Sequence, residues 1–166
     1  MAADQFLKLG GGVDGESVDA ASPGHANEIE IVGWSLGATN PATFVGPGGG
    51  QQAKPVVSEF HITKVCDKAS VKLWKALLGG QHIPDGKITC RKAIKDSDKL
   101  EYLTIELTDV QVTGIQWSGS GQDTFLHETV SLVCAVFEHK YTPQKDDGTK
   151  DGPITVKYDM QKQTVV

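Results

Sequence analysis

The sequence is poor in basic charge, cysteine, aromatics and long apolar runs. There are 16 Lys and Arg against 21 Asp and Glu, a formal charge of −5. That balance disfavours a broad nucleic-acid surface, which requires a basic face. No apolar run approaches the roughly 20 residues that cross a bilayer as a helix, so membrane insertion is not expected. The opening Met1-Ala2-Ala3-Asp4-Gln5-Phe6-Leu7-Lys8 has no basic end leading into an apolar stretch. The expectation is therefore a cytoplasmic product without a signal peptide. Three cysteines, Cys66, Cys90 and Cys134, form no C-x-x-C pair, and their odd number cannot pair fully within one chain. They read as small buried hydrophobes rather than as a metal or redox centre.

Glycine, in contrast, is abundant, with 19 in 166 residues. The length suits one domain, 1–166, large enough to bury a core without staples. Periodicity is mostly that of strands. Phe6 to Leu9 is a short run that stops at Gly10. In Glu28-Ile29-Glu30-Ile31 the two Ile point inward, and Trp34 and Leu36 then follow in the opposite phase. A one-residue phase change near Val32-Gly33 predicts a β-bulge. Val56 to Ile62, Ile88 to Cys90, Leu103 to Leu107 with Val110 and Val112, and Ile154 to Tyr158 make further strands. From Thr129 to Tyr141 both faces are apolar in the middle, which predicts burial on two sides. One helix is expected, capped by Asp67 or Ser70, burying Leu73, Trp74, Leu77 and Leu78 and ending at Gly79-Gly80. Many short strands and one helix predict a mainly β fold, a compact β-barrel or sandwich. Two stretches lack periodicity: Gly37 to Pro55, rich in Gly and Pro, and Thr142 to Pro153 with a turn at Lys145-Asp146-Asp147-Gly148.

Few motifs carry chemistry. Gly33-Trp34-Ser35-Leu36-Gly37 fits G-x-S-x-G, the nucleophile elbow, but a glycine-rich loop follows it where a helix is required. A serine hydrolase acting through Ser35 is therefore kept only as an alternative, and no catalytic residue is assigned. His25, His61, His82, His127 and His139 show no metal-ligand spacing, though His61 and His139 share the polar side of their strands. No metal site is expected. Gly46-Pro47-Gly48-Gly49-Gly50 is neither a phosphate loop nor a dinucleotide fingerprint, and no cofactor is expected. Arg91-Lys92 with Lys95, offset by Asp96 and Asp98, reads as a solvated hairpin. A small β domain has strand edges to hide, and identical copies joined head to tail are one way to hide them. A monomeric, secreted β-sandwich binding module is the remaining alternative.

Several segments, taken in order, resemble the Hcp family, the haemolysin-coregulated tube proteins of bacterial type VI secretion. They are Gly15-Glu16-Ser17-Val18-Asp19, His25, Asn27 to Ser35, Phe60, Thr63-Lys64, Asp67-Lys68-Ala69-Ser70, Lys72-Leu73, Gly80, His82-Ile83-Pro84, Ile88 to Ala93, Glu101-Tyr102-Leu103, Ser118-Gly119-Ser120-Gly121, Glu128 to Leu132, Tyr141 to Gln144 and Asp147-Gly148. Leu36 and Val71 depart from it, standing where an aromatic and a proline are frequent. The resemblance implies a β-barrel of two sheets with a flanking helix and an extended Gly-rich loop. It implies homo-hexameric rings that stack into a hollow tube, a contractile sheath around it, a spike of valine-glycine-repeat type at its tip, and small effector proteins in its lumen. The protein would be made in the cytoplasm and then secreted by that machinery. Ser35 and Ser120 would face the lumen. Thr39, Asn40, Phe44, Val45, Gln51 and Gln52 would lie in the ring-stacking loop.

Overall fold

The computed structural model describes residues 4–20, 24–42, 54–94 and 99–166. The chain runs β1 (Asp4–Leu9), β2 (Ile29–Ser35), β3 (Ala38–Thr39), β4 (Val56–Val57), β5 (Phe60–Val65), α1 (Lys68–Gly79), β6 (His82–Ala93), β7 (Lys99–Ser118), β8 (His127–Tyr141), β9 (Ile154–Asp159) and β10 (Thr164–Val165). The main sheet has the order β10-β9-β8-β5-β2-β1-β6-β7, and β7 returns to pair with β8. Six strands, β8-β5-β2-β1-β6-β7, thus close into a barrel with β9 and β10 attached outside the closure. The strands β3 and β4 form a second, two-stranded sheet. Closure removes most of the strand edges expected from the sequence.

Alternation fills the barrel. Ile29 and Ile31, Phe60 and Ile62, Ile88 and Cys90, Ile105 and Leu107, and Val130 and Leu132 are all buried, because every second side chain of a strand faces one side. The bulge falls where it was expected, between Ile31 and Gly33 in the pairing of β2 with β5. After it, Trp34 is the side chain packed on the core, and its indole N–H donates to Cys90 Sγ at 3.3 Å. Ser35 is left outside.

Three expectations need correction. First, β8 is not buried on two sides: Val130, Leu132, Cys134 and Phe137 are buried, whereas Val133, Ala135 and Val136 are half-buried. The inward phase changes between Cys134 and Phe137. Its neighbour β7 changes phase at the same level, from Leu107 to Val110 across Asp109 with φ 54°. Two apolar phases in the sequence are one inward face that switches partway along the strand. Second, α1 buries Ala69, Ser70, Leu73 and Ala76, while Trp74 and Leu77 are half-buried and Leu78 is 79% exposed. Alanines at 69 and 76 flank Leu73 on one helical face and let the helix approach the barrel closely, rotating the buried stripe away from Leu78. Third, Arg91 is not in a solvated hairpin. It is fully buried, with Nε 3.2 Å from Asp4 Oδ2, a second ion pair to Asp19, and its guanidinium 4.7 Å from the Phe6 ring centroid. Lys95, Asp96 and Asp98 lie outside the described residues.

The helix starts as its sequence suggests. Asp67 is the N-cap and accepts from the Ala69 N–H at 3.0 Å, and Ser70 Oγ accepts from the Asp67 N–H at 3.0 Å. Gly80, at φ 58°, ends it in the left-handed conformation. The turn at Lys145–Gly148 is present, closed by the Gly148 N–H donating to Lys145 O.

Candidate functional site

The outward side chains of β2, β5, β8 and β7 form the most distinctive surface. Strand register places Ser35, His61, Ser131 and Gly114 in one row, and Gly33, Thr63, Thr129 and Gln116 in the next. Val65, His127 and Ser118 form a third. None of these is Asp, Glu, Lys or Arg. Lys64 and Glu128 of these strands are buried, whereas Glu30 of β2 is exposed and lines a cleft with Val65. His61 Nδ1 and Ser131 Oγ are 3.0 Å apart, and the glycine at 114 leaves room beside the Ser131 side chain. The first two rows are small, polar and uncharged apart from His61, and the third carries Val65 and His127 with the Glu30 carboxylate of β2 beside it.

The two ends of this face differ. Beyond Ser35, β2 leads through Leu36 and Gly37 to the β3–β4 ribbon, where Gly37 N–H donates to Ser58 Oγ at 2.9 Å. At the other end lies the connection from β7 to β8, carrying Ser120, Phe125 and Leu126, where the Cys66 N–H donates to Leu126 O at 2.9 Å.

The sequence-derived site residues divide accordingly. Ser35 stands exposed in the first row. Ser120 is exposed at the far end, its Oγ accepting from the Gln122 N–H at 3.3 Å. The two are not neighbours: Gly114 is level with Ser35, and from there β7 runs about 13 Å to Ser118 before Ser120 is reached. Thr39, paired with Val56, and Asn40 are exposed on and beside the ribbon. Phe44, Val45, Gln51 and Gln52 lie outside the described residues. The elbow geometry of a hydrolase is not what surrounds Ser35, since β2 leads into a strand ribbon and His61 holds Ser131. His61 and His139 stay apart, because His139 lies far along β8 from Ser131, level with Ile105 and Val156. Among the described residues no group of three or more His, Cys, Asp or Glu is placed to hold a metal ion.

Sequence reading missed the buried ionic groups behind this face. Lys64 Nζ donates to Val65 O at 2.9 Å, Asp67 Oδ1 at 2.8 Å, Ser70 Oγ at 2.9 Å and Glu128 Oε2 at 3.0 Å. His25 stacks on Phe6 with ring centroids 4.4 Å apart, and its Nδ1 lies 2.8 Å from Glu28 Oε2. Its Nε2 lies 3.2 Å from Glu101 Oε1. The ammonium of Lys99 and the guanidinium of Arg91 hold the Asp4 carboxyl below its usual range. Burial raises the Cys90 thiol and pushes that of Cys134 up to about 11, which leaves both as inert hydrophobes. The only hint in the sequence was that Lys64 and Glu128 fall on the apolar phase of their strands.

Comparison with known proteins supplies the family. Residues 6–141 match the family described as type VI secretion system effector, Hcp. Protein hcp1 of Pseudomonas aeruginosa is 40% identical over 152 residues, covering 92% of this chain and 91% of that protein. A solved structure described as a type six secretion system protein has a TM-score of 0.89 at 30% identity, covering 99% of this chain and 100% of that one. Hcp1 from Salmonella typhimurium has a TM-score of 0.79 at 33% identity, with 100% of both chains covered.

Proposed function

Because the chain belongs to the Hcp family of type VI secretion effector proteins, we propose that it is the subunit of a hollow tube expelled by that secretion system. Six copies form a ring and rings stack. A contractile sheath drives the stack outward behind a spike of valine-glycine-repeat type, and small effector proteins ride in the lumen. Export follows this route.

The observation that carries the reading is the two rows of small polar side chains, Ser35, His61, Ser131 and Gly114 with Gly33, Thr63, Thr129 and Gln116, which hold no Asp, Glu, Lys or Arg. A solvated sheet face ordinarily carries Lys and Glu. A channel wall has a different requirement. Fixed charges pointing into a narrow lumen would hold some cargo tightly and repel the rest, whereas serine, threonine and glycine offer short, neutral hydrogen-bonding groups. Ser35 lies in this wall and Ser120 at its rim. Thr39 and Asn40, with Phe44, Val45, Gln51 and Gln52, serve the contact between rings.

Light scattering on the purified protein over a range of concentrations tests the proposal. A six-subunit species that grows into larger assemblies is expected, and single chains at high concentration would overturn it.

A further inference from the structure

We propose that residues 13–20 and 24–28 form a strap latched to the barrel wall by the His25 imidazolium, and that the latch loosens when this ring gives up a proton as the pH rises. It is a property of the single subunit and does not depend on the tube reading.

The wall beneath the strap needs a cover. Along β1, Leu7 and Leu9 pack in the barrel core, so Phe6 faces the other way. A ring on that side would stand in water, yet Phe6 is only 3% exposed. Strand register sets Thr89 and Glu30 beside Phe6, Arg91 beside Asp4, and Glu101 beside Arg91. Thr89 and Arg91 are fully buried as well. The strap supplies the cover, and its two arms are bonded to each other. Gly15 N–H donates to Asn27 O at 2.9 Å, Asn27 N–H to Ser17 O at 2.7 Å, Ser17 N–H to Glu28 O at 3.1 Å and His25 N–H to Asp19 O at 3.0 Å.

The first arm is held by groups whose charge is constant near neutral pH. Asp19 pairs with Arg91 and lies 3.6 Å from the Lys99 ammonium, and Glu16 accepts from the Lys68 N–H at 3.1 Å. The second arm is held by His25, whose ring is 4% exposed. It lies flat on Phe6, with an interplanar angle of 5°, and the Arg91 guanidinium approaches the same Phe6 ring. Its Nδ1 is 2.8 Å from Glu28 Oε2 and its Nε2 3.2 Å from Glu101 Oε1. A carboxylate only accepts, so each nitrogen must carry a hydrogen, and a ring with both is the imidazolium. Its charge also offsets the two carboxylates. Lys87, 3.8 Å from Glu101 Oε2, is the other cation paired with them among the described residues.

Loss of one proton turns a nitrogen lone pair toward a carboxylate oxygen and leaves that carboxylate less compensated. Both effects are stronger where water is scarce. The other charged groups around the ring are Asp4, Asp19, Glu28, Glu30, Glu101, Lys87, Lys99 and Arg91. Such groups ordinarily titrate below about pH 5 or above about pH 10, which leaves histidine to change charge between about pH 6 and about pH 9. The latch therefore contributes its full stability on the acid side of that interval and loses it as pH rises. Loosening begins at the second arm and uncovers Phe6 and Arg91 on the barrel wall.

Amide hydrogen exchange of the full chain, read by mass spectrometry, tests the latch. Rates are expressed as protection factors, so the intrinsic pH dependence of exchange cancels. In the wild type, peptides covering 13–28 should lose protection roughly tenfold between about pH 6 and about pH 9, while peptides from β8 keep theirs. Glu101→Gln gives Nε2 a partner that donates as well as accepts, so a neutral ring is accommodated and the fall should shrink to less than about threefold. His25→Gln removes the titrating ring, and strap protection should no longer vary with pH. The β8 peptides report in the same digest that each variant's barrel is folded. Strap protection that stays constant across the range in the wild type would overturn the latch. An undiminished fall in either variant would overturn it too, because another group would then set the response.

Discussion

Lys64 shows most directly how this barrel tolerates charge in its interior. The ammonium is completely buried, and so is its partner Glu128. Taking both from water is costly, and the cost is met only because Asp67, Ser70 and a backbone carbonyl complete the shell around the ammonium. Lys64→Met leaves the Glu128 carboxylate buried without its cation, so the subunit should lose about 3–5 kcal/mol, read as a lowered urea midpoint. Adding Glu128→Leu should recover much of that loss, because an apolar pair replaces a broken ionic one. His139 is the opposite case. Burial lowers its pKa from the ordinary 6.5, its ring lies 4.9 Å from Phe137, and its Nε2 is buried without a hydrogen-bond partner. The unfolded chain therefore binds a proton at this residue before the folded one does. Stability from this residue is complete above about pH 6.5 and falls as pH drops toward the depressed folded value. His139→Leu should flatten that acid-side slope in melting temperatures measured between pH 7.5 and 5. An unchanged slope would show that another group sets it.

Among the elements, α1 separates what local sequence shows from what it does not. Its ends were legible, because Asp67, Ser70 and Gly80 act within one turn through hydrogen bonds to their own backbone. The bulge in β2 was legible for the same reason, since a phase change is written in consecutive residues. The buried face of α1 was not, because it depends on how closely the helix can approach the barrel, and the two alanines beside Leu73 decide that. Leu73→Ala should cost about 2–5 kcal/mol, as a large-to-small change in the core. Leu78→Lys should stay within about 0.5 kcal/mol of the wild-type subunit, even though both leucines belong to the same apolar run. Equal losses by chemical denaturation would restore the stripe first read from the sequence. Arg91 was misread for a related reason. Its nearest acidic neighbours in the chain suggested solvent, but Asp4, 87 residues away, and Asp19 pair with it inside.

For the whole molecule, closure of six strands leaves the β3–β4 ribbon outside the barrel sheet, tied to the core through Leu36 and Val57, and its geometry permits a clean separation of folding from assembly. Thr39 pairs with Val56, so deleting residues 41–53 joins Asn40 to Lys54. That leaves Asn40, Lys54 and Pro55 to connect the paired positions. Three-residue connections are common in hairpins, so the barrel should fold with the wild-type circular dichroism spectrum. The two uncharged rows with Ser35 lie on the barrel strands and are untouched by the deletion, so contacts that close a ring along the barrel's sides should also survive. End-to-end contact should not, because the deletion removes Phe44, Val45, Gln51 and Gln52, to which the proposed function gives the contact between rings. The expected result is six-subunit mass by light scattering with tubes absent from electron micrographs. Persistent tubes would move the stacking contact from this segment onto the barrel ends themselves, whereas loss of the six-subunit species would make the same segment part of the ring.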